Sequence, residues 1–409
     1  MKVTDVRTIL ITAPWSGDPY WIQDAPFVRT TALVQVMTDE GIVGLGETVM
    51  GYFCPDVVTP LVAYYAALIT QLGLDPLQPE RVYAELDQRS LWWGRVGLAV
   101  SVLSGIEMAL WDVAGKAAGK PVWALLGGAA HARLPLYASG GTGTWPVEKT
   151  VEQAQRYVGL GFRGLKLGTG YTERPGGIAT GAVEPPYGTW YAGTTSARVE
   201  DERTKFAALR AALGPDVELA IDSHAVQVRE PWSRRNALDL ARAVEEFDLL
   251  FYEEPLRYDD PAGYAELRRH TRIPIAGGEC LTGEAEFAQW LEVGALDYVQ
   301  PDASHVGGVG PCARVARMAE DHHVGLIVHT GGAVGPGLMA NLHVAFASPN
   351  ARYVEYALAP DNIRAELLVA PVALVDGMVD APTEPGLGVR LEDATIAAYP
   401  FRPGNVEYA

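Results

Sequence analysis

Two rhythms of apolar and polar positions run along this chain. The first occupies its N-terminal part. Val3 to Ala13, Thr30 to Thr38 and Ile42 to Glu47 alternate as strands do, and Asp39-Glu40-Gly41 is a turn signal between the last two. The spacing predicts an antiparallel meander. Helical patterns follow near Thr59 to Leu72, Pro79 to Gln88 and Val100 to Ala118. The third carries small residues at Ser101, Ser104, Gly105, Ala109, Ala114 and Gly115, which suits a helix packed closely in a core. An aromatic, turn-rich loop spans residues 14–27, and a second loop is expected over Met50 to Pro60.

The second rhythm begins at Leu134. Leu134 to Ala138 and Phe162 to Leu167 read as strands, the latter delivering Lys166. Short apolar runs then end repeatedly in a carboxylate or an imidazole. Asp222 closes Leu219-Ala220-Ile221, and Glu253 and Glu254 close Leu249 to Tyr252. Glu279 follows Ile273 to Ala276, Asp302 follows Tyr298 to Pro301, His329 closes Leu326 to Val328, and Glu355 follows Tyr353-Val354. The interval is about 25–30 residues, one strand plus one helix. Val199 to Leu213, Ala237 to Phe247, Pro261 to His270, Gly283 to Val293 and Gly310 to His322 carry the helical period between the beats.

Strands alternating with helices predict a parallel β/α barrel whose chemistry lies at the C-terminal strand ends. The predicted organisation is an α+β unit over residues 1–130, completed by the tail 376–409, and a barrel over residues 131–375. Gly168 to Ala197 is rich in Gly, Pro, Thr and Tyr without a helical period. A loop this long after a barrel strand is expected to cover the mouth as a lid.

Composition narrows the partners. The chain has 409 residues and a formal net charge of −18, which argues against a nucleic-acid or anionic-membrane partner. Cys54, Cys280 and Cys312 are odd in number and widely spaced, so neither a disulfide framework nor a zinc pattern is readable, and Cys280 reads as space-filling. Met1 to Leu10 lacks a signal-peptide core, and a cytoplasmic enzyme is expected. Three carboxylates on successive strand ends, Asp222, Glu253 and Glu279, suit a hard divalent cation, and oxygen-only ligation favours Mg²⁺, one per site. His329 lies one β/α unit after Asp302, which could orient its imidazole and raise its basicity. His224 lies two residues after Asp222, on the same strand face.

Several motifs carry a resemblance to a known family. They are Asp222-Ser223-His224, Glu253-Glu254-Pro255, Gly278-Glu279, Gln300 to Gly308, Gly335-Pro336 and Pro385 to Gly388, with Ala109 to Asp112 and Gly119 to Gly128 upstream. With them the chain resembles the enolase superfamily in its mandelate racemase subgroup, and is most similar to galactonate dehydratase-like acid-sugar dehydratases. The resemblance implies a modified (β/α)7β TIM barrel under an N-terminal α+β capping domain, and a homo-oligomer.

It also implies roles. Glu253, the first Glu of its motif, would ligate the metal, with Glu254 behind it. His329 would be the base, Asp302 its orienting partner, and His224 the acid that protonates a departing hydroxyl. Lys166 would neutralise the substrate carboxylate and Glu355 would lie beside it. Trp21, Tyr52, Tyr187 and Glu254 would contact substrate. The second Lys of the subgroup's Lys-x-Lys motif is replaced here by Gly168. That leaves one face of the substrate without a base, which disfavours racemisation and permits β-elimination. The expected reaction is loss of water from an aldonate or aldarate to give a 2-keto-3-deoxy acid. Alternatives are an epimerase or cycloisomerase, a mannonate dehydratase-like enzyme with a loop tyrosine (Tyr171, Tyr187 or Tyr191) as base, and a non-catalytic sugar-acid binder.

Overall fold

The computed structural model describes residues 1–14, 28–140, 147–169, 199–223, 232–331, 333–357 and 362–403. Strands β1 (Val3–Pro14), β2 (Val28–Thr38) and β3 (Val43–Thr48) form an antiparallel sheet in that order. The turn between β2 and β3 is closed by Thr38, whose hydroxyl donates to the Ile42 carbonyl at 2.9 Å and accepts from the Ile42 amide at 3.1 Å. Helix Leu98–Ala118 packs on β3, Pro55–Leu72 on β1, and Pro79–Gly94 against Leu98–Ala118. Glycines set the closeness of the first contact. A Cβ at Gly44 or Gly46 would run into the backbone carbonyl of Ala109 or Gly105. Leu98–Ala118 is long and apolar enough to cross a membrane, yet it is a core helix with Ala99 to Gly115 buried.

Met50 to Pro60 differs from the expected loop. It holds a short helix, Met50–Phe53, and the start of Pro55–Leu72. Pro55 sits at the first helical position, where a missing N–H costs nothing. Pro60 forgoes one intrahelical bond, and the burial of Val58, Val62, Tyr65 and Ile69 offsets that loss.

The second body is the barrel. Strands β4 (Arg133–Ser139), β5 (Gly164–Gly168), β6 (Glu218–Asp222), β7 (Leu249–Glu253), β8 (Ile275–Gly277), β9 (Tyr298–Val299), β10 (Gly325–Val328) and β11 (Ala351–Ala357) pair in parallel, in sequence order. β11 closes on β4, with Glu355 opposite Tyr137. Seven helices stand between successive strands: Val147–Gly159, Val199–Leu213, Arg234–Val244, Pro261–His270, Gly283–Glu292, Val309–Asp321 and Pro336–Ala347. This is a (β/α)7β barrel. The C-terminal tail touches both bodies. β12 (Met378–Asp380) pairs antiparallel with β4, while Pro400 bridges to Ile11 and Gly386 to Pro121.

Buried carboxylates join cap to barrel. Glu47, at the end of β3, accepts from the amides of Val334, Gly335 and Gly337 at 2.9–3.0 Å, at the N-terminus of helix Pro336–Ala347. Glu107 accepts from Val309 N at 2.7 Å, Gly310 N at 2.8 Å and Trp111 Nε1 at 2.7 Å. Asp112 accepts from Leu45 N at 2.9 Å, Leu387 N at 2.8 Å and Lys116 Nζ at 2.6 Å.

Candidate active site at the barrel mouth

The strand period builds the site. Tyr137, Ala220, Phe251, Ala276 and Ile327 form an apolar cluster inside the barrel. Two residues further along their strands, on the same face, stand Ser139, Asp222 and Glu253, and His329 directly follows the end of β10. The same step leads from Gly164 to Lys166 and from Tyr353 to Glu355. A dry floor therefore carries a polar layer at the C-terminal ends. In the register of the strands, Gly168 lies opposite Asp222, and Asp222 opposite Glu253.

Lys166 is the electrostatic centre of this layer. It is 5% exposed, and its ammonium lies 2.6 Å from Glu253 Oε1, 3.0 Å from Glu355 Oε1 and 3.1 Å from Asp222 Oδ2. Burial alone would lower the Lys166 pKa, but the three carboxylates outweigh it and hold the group well above its ordinary value. Glu253 Oε2 accepts from Gln300 Nε2 at 2.7 Å.

The expected Asp302–His329 pair is present. Asp302 Oδ2 lies 2.9 Å from His329 Nδ1, while Oδ1 accepts from Ser304 N, Ser304 Oγ and Asn341 Nδ2 at 2.7–3.0 Å. Burial pushes the Asp302 carboxyl up, but His329 and these donors outweigh it and hold it below the usual range. His329 Nε2 lies 3.1 Å from Glu279 Oε2. Burial works against its charge, yet Glu279, Glu355 and Asp302 together raise its pKa to about 10. Glu355 accepts from the Thr330 amide at 2.8 Å. Burial raises its pKa, but Lys166 and His329 prevail and bring it down to about 2.

Glu254 stands apart. Its backbone is left-handed, φ 45°, which a glutamate adopts only under constraint. The kink buries two consecutive carboxylates, Glu253 and Glu254, where simple strand alternation would send them to opposite faces. Glu254 Oε2 is buried without a hydrogen-bond partner among the described residues. Burial first, then Glu279 and Asp222, raise the Glu254 carboxyl well above its usual range.

Among the described residues, six carboxylates (Asp222, Glu253, Glu254, Glu279, Asp302 and Glu355) thus face two protein cations, Lys166 and His329. The orphaned oxygen and this excess of negative charge fit a site built around a divalent cation.

Of the expected substrate contacts, Tyr52 is half-buried, with the Arg29 guanidinium 4.6 Å over its ring. Trp21, Tyr187, Tyr171, Tyr191, the acid candidate His224 and all but the first two residues of the lid Gly168 to Ala197 lie outside the described residues.

Two residues near the site were missed. Arg29 is buried at the start of β2 and reaches the Gly331 carbonyl, two residues beyond His329, at 3.5 Å. Asn341 bonds both Asp302 and the His329 carbonyl, at 3.0 and 2.8 Å. Each left a signal: an arginine opening the strand that Thr30 to Thr38 was read as, and an asparagine within the apolar run of Pro336–Ala347.

The fold and the strand-end carboxylates define a class, and sequence comparison agrees with it. Residues 149–395 match the family model described as enolase C-terminal domain-like. Residues 21–127 match the mandelate racemase / muconate lactonizing enzyme N-terminal domain. The chain belongs to the enolase superfamily. Within it the chain is similar to D-galactonate dehydratase of Ralstonia nicotianae, 33% identical over 97% of this chain and 94% of that protein. It is also similar to arabinonate dehydratase of Saccharolobus solfataricus, 29% identical over 89% of each. Among solved structures, one described as a racemase from Streptomyces coelicolor A3(2) with bound magnesium superposes with a TM-score of 0.80. It is 28% identical, with 97% of this chain and 99% of that one covered. Both curated relatives are named as dehydratases, which are hydro-lyases.

Proposed function

We propose that the protein is a Mg²⁺-dependent acid-sugar dehydratase, which removes the α-proton of an aldonate or aldarate and eliminates the β-hydroxyl to give a 2-keto-3-deoxy acid. The observation that carries this reading is the asymmetry of the mouth. One face has the Asp302–His329 pair, and the position where related racemases place a second lysine is Gly168, opposite Asp222. Proton transfer to both faces needs two bases, whereas elimination needs one base and one acid.

Asp222, Glu253 and Glu279 would hold the cation; their all-oxygen donor set suits Mg²⁺. Bound there, the ion supplies positive charge to the substrate carboxylate as the α-proton leaves. Lys166, fixed by three carboxylates, adds a second positive charge from the strand-end layer. Glu279, the carboxylate that most raises the His329 pKa, is assigned to the cation, so with that charge balanced Nε2 would be neutral and take the α-proton, while Asp302 holds Nδ1 and fixes which nitrogen faces substrate. His224 gives the proton that leaves with the hydroxyl. The similarity to D-galactonate and arabinonate dehydratases supports the substrate class without choosing among sugar acids.

The test separates base from acid. His329→Asn should abolish both dehydration and solvent-deuterium exchange at C2. His224→Asn should slow dehydration by about 10²- to 10⁴-fold while exchange persists. Asp302→Asn should fall between, through a misoriented His329. Wild-type epimerisation at C2 faster than dehydration would overturn the assignment.

A further inference from the structure

Strands β8, β9, β10 and β11 lead to Glu279, Asp302, His329 and Glu355 at the mouth. Their other ends surround an open cleft of about 480 Å³ on the opposite face of the barrel. Helix Pro261–His270 delivers Arg268 and Arg269 to it, the turn into β8 delivers Arg272, the first residue of β9 is Tyr298, and the start of β11 brings Arg352.

The charge of this cleft runs against that of the chain, whose formal net charge is −18. Among the described residues that line it, Asp297 is the one carboxylate, and it is already committed. One oxygen accepts from Arg268 Nε at 2.7 Å and the other from the Ile275 amide at 2.9 Å. Arg272 lies 3.6 Å from Glu245, and the nearby Glu218 accepts from the Tyr353 hydroxyl. Arg269 and Arg352 pair with no carboxylate among the described residues. Elsewhere on the surface Arg203, Arg257 and Arg314 each meet a carboxylate at 2.7–2.9 Å. Gly325 shapes the floor. A Cβ there would meet the half-buried Tyr298 ring at 2.6 Å and the Arg352 stem at 3.4 Å, so the glycine lets both lie against the start of β10.

Two uncompensated guanidiniums offer forked N–H donors and a double positive charge, which match a phosphate dianion better than a monocarboxylate. The volume is that of a small-molecule site, larger than a lone ion needs. The aromatic face beside the arginines suits a sugar or base ring. We propose that this cleft binds a phosphorylated small molecule, with Arg269 and Arg352 on the phosphate and Tyr298 against the organic part. Such a ligand sits at the far ends of these strands from the mouth, and its binding requires nothing of the reaction assigned there.

The experiment is calorimetric titration of the full-length protein at low ionic strength with inorganic phosphate, ribose 5-phosphate and adenosine 5′-monophosphate. One of the organic phosphates should bind at one equivalent and roughly tenfold more tightly than inorganic phosphate, and which one does so distinguishes a sugar from a base on Tyr298. Arg269→Gln and Arg352→Gln, both at exposed positions, should each weaken that binding by about 10–100-fold. Arg257→Gln, an exposed arginine paired with Asp259, should leave it unchanged. Thermal melting checks that each variant is folded, and Arg352→Lys, which keeps the charge but loses the fork, serves if Arg352→Gln is not. Absence of saturable binding, or equal affinity in wild type and the folded cleft variants, overturns the site. An equal loss in Arg257→Gln would reduce the effect to general surface charge and overturn it as well, as would organic phosphates that bind no better than inorganic phosphate.

Discussion

At the scale of the residue, the mouth is a problem of unbalanced charge. Lys166 holds three carboxylates apart at 2.6–3.1 Å. Removing it leaves them buried together, with His329 as the remaining cation among the described residues. Lys166→Met should therefore destabilise the metal-free protein by about 3–5 kcal/mol, the cost of breaking a buried ion pair. Urea denaturation should show this loss, and Mg²⁺ should recover part of it. No recovery would count against a cation site at these carboxylates. Glu253 and Glu254 differ in position. Glu253 stands at the end of β7, opposite Asp222 in the strand register, and is the proposed ligand, whereas Glu254 lies one residue beyond the strand. Glu253→Gln should weaken Mg²⁺ binding far more than Glu254→Gln when measured by calorimetric titration. The reverse order would transfer the ligand role to Glu254.

At the scale of the element, glycines set how closely cap and barrel approach. Gly308 precedes helix Val309–Asp321 at φ 114°, and a Cβ there would overlap the Glu107 carboxylate. Gly386 at φ 72° meets Asp112 in the same way. Gly308→Ala combines left-handed strain with the displacement of Glu107 from two backbone amides. It should cost on the order of 2–4 kcal/mol. Gly119, also left-handed, has nothing near its missing Cβ, so Gly119→Ala should cost only the backbone strain, about 1 kcal/mol. Equal losses in thermal denaturation would show that strain, and not the buried carboxylate, governs Gly308.

At the scale of the molecule, Glu47, Glu107 and Asp112 tie the N-terminal sheet and helix Leu98–Ala118 to the barrel and to the tail near Leu387. Cap and barrel should therefore unfold in one calorimetric transition, and a resolved cap transition would contradict this coupling. The coupling also titrates. Burial raises the Glu107 pKa to about 7, against its hydrogen bonds from Gly310, Trp111 and Val309. Between its ordinary value of 4.5 and about 7 the folded state keeps a proton that the unfolded state has released. Stability from this group therefore falls as pH rises through that window and is flat above it. Glu107→Gln should flatten the slope of melting temperature against pH between those values. An unchanged slope would assign it to other groups.

The sequence by itself determined the barrel, the strand ends that carry chemistry and the Asp302–His329 pairing. A strand's two-residue period and the parallel β/α order leave the C-terminal ends of β6, β7, β10 and β11 no destination but one mouth. It also settled the burial of Leu98–Ala118, whose apolar and small positions run all round the helix. Tertiary structure decided what depends on which distant chains meet. It placed Lys166 among Asp222, Glu253 and Glu355, which come from three other strands. It carried Asn341 from a late helix to Asp302, and Arg29 from the cap to Gly331. It turned Met50 to Pro60 into helix, because the apolar face of Pro55–Leu72 found a sheet to cover. The left-handed kink at Glu254 belongs to the same class. Local preference opposes that conformation, and only the closed barrel around it makes it the lower-energy choice.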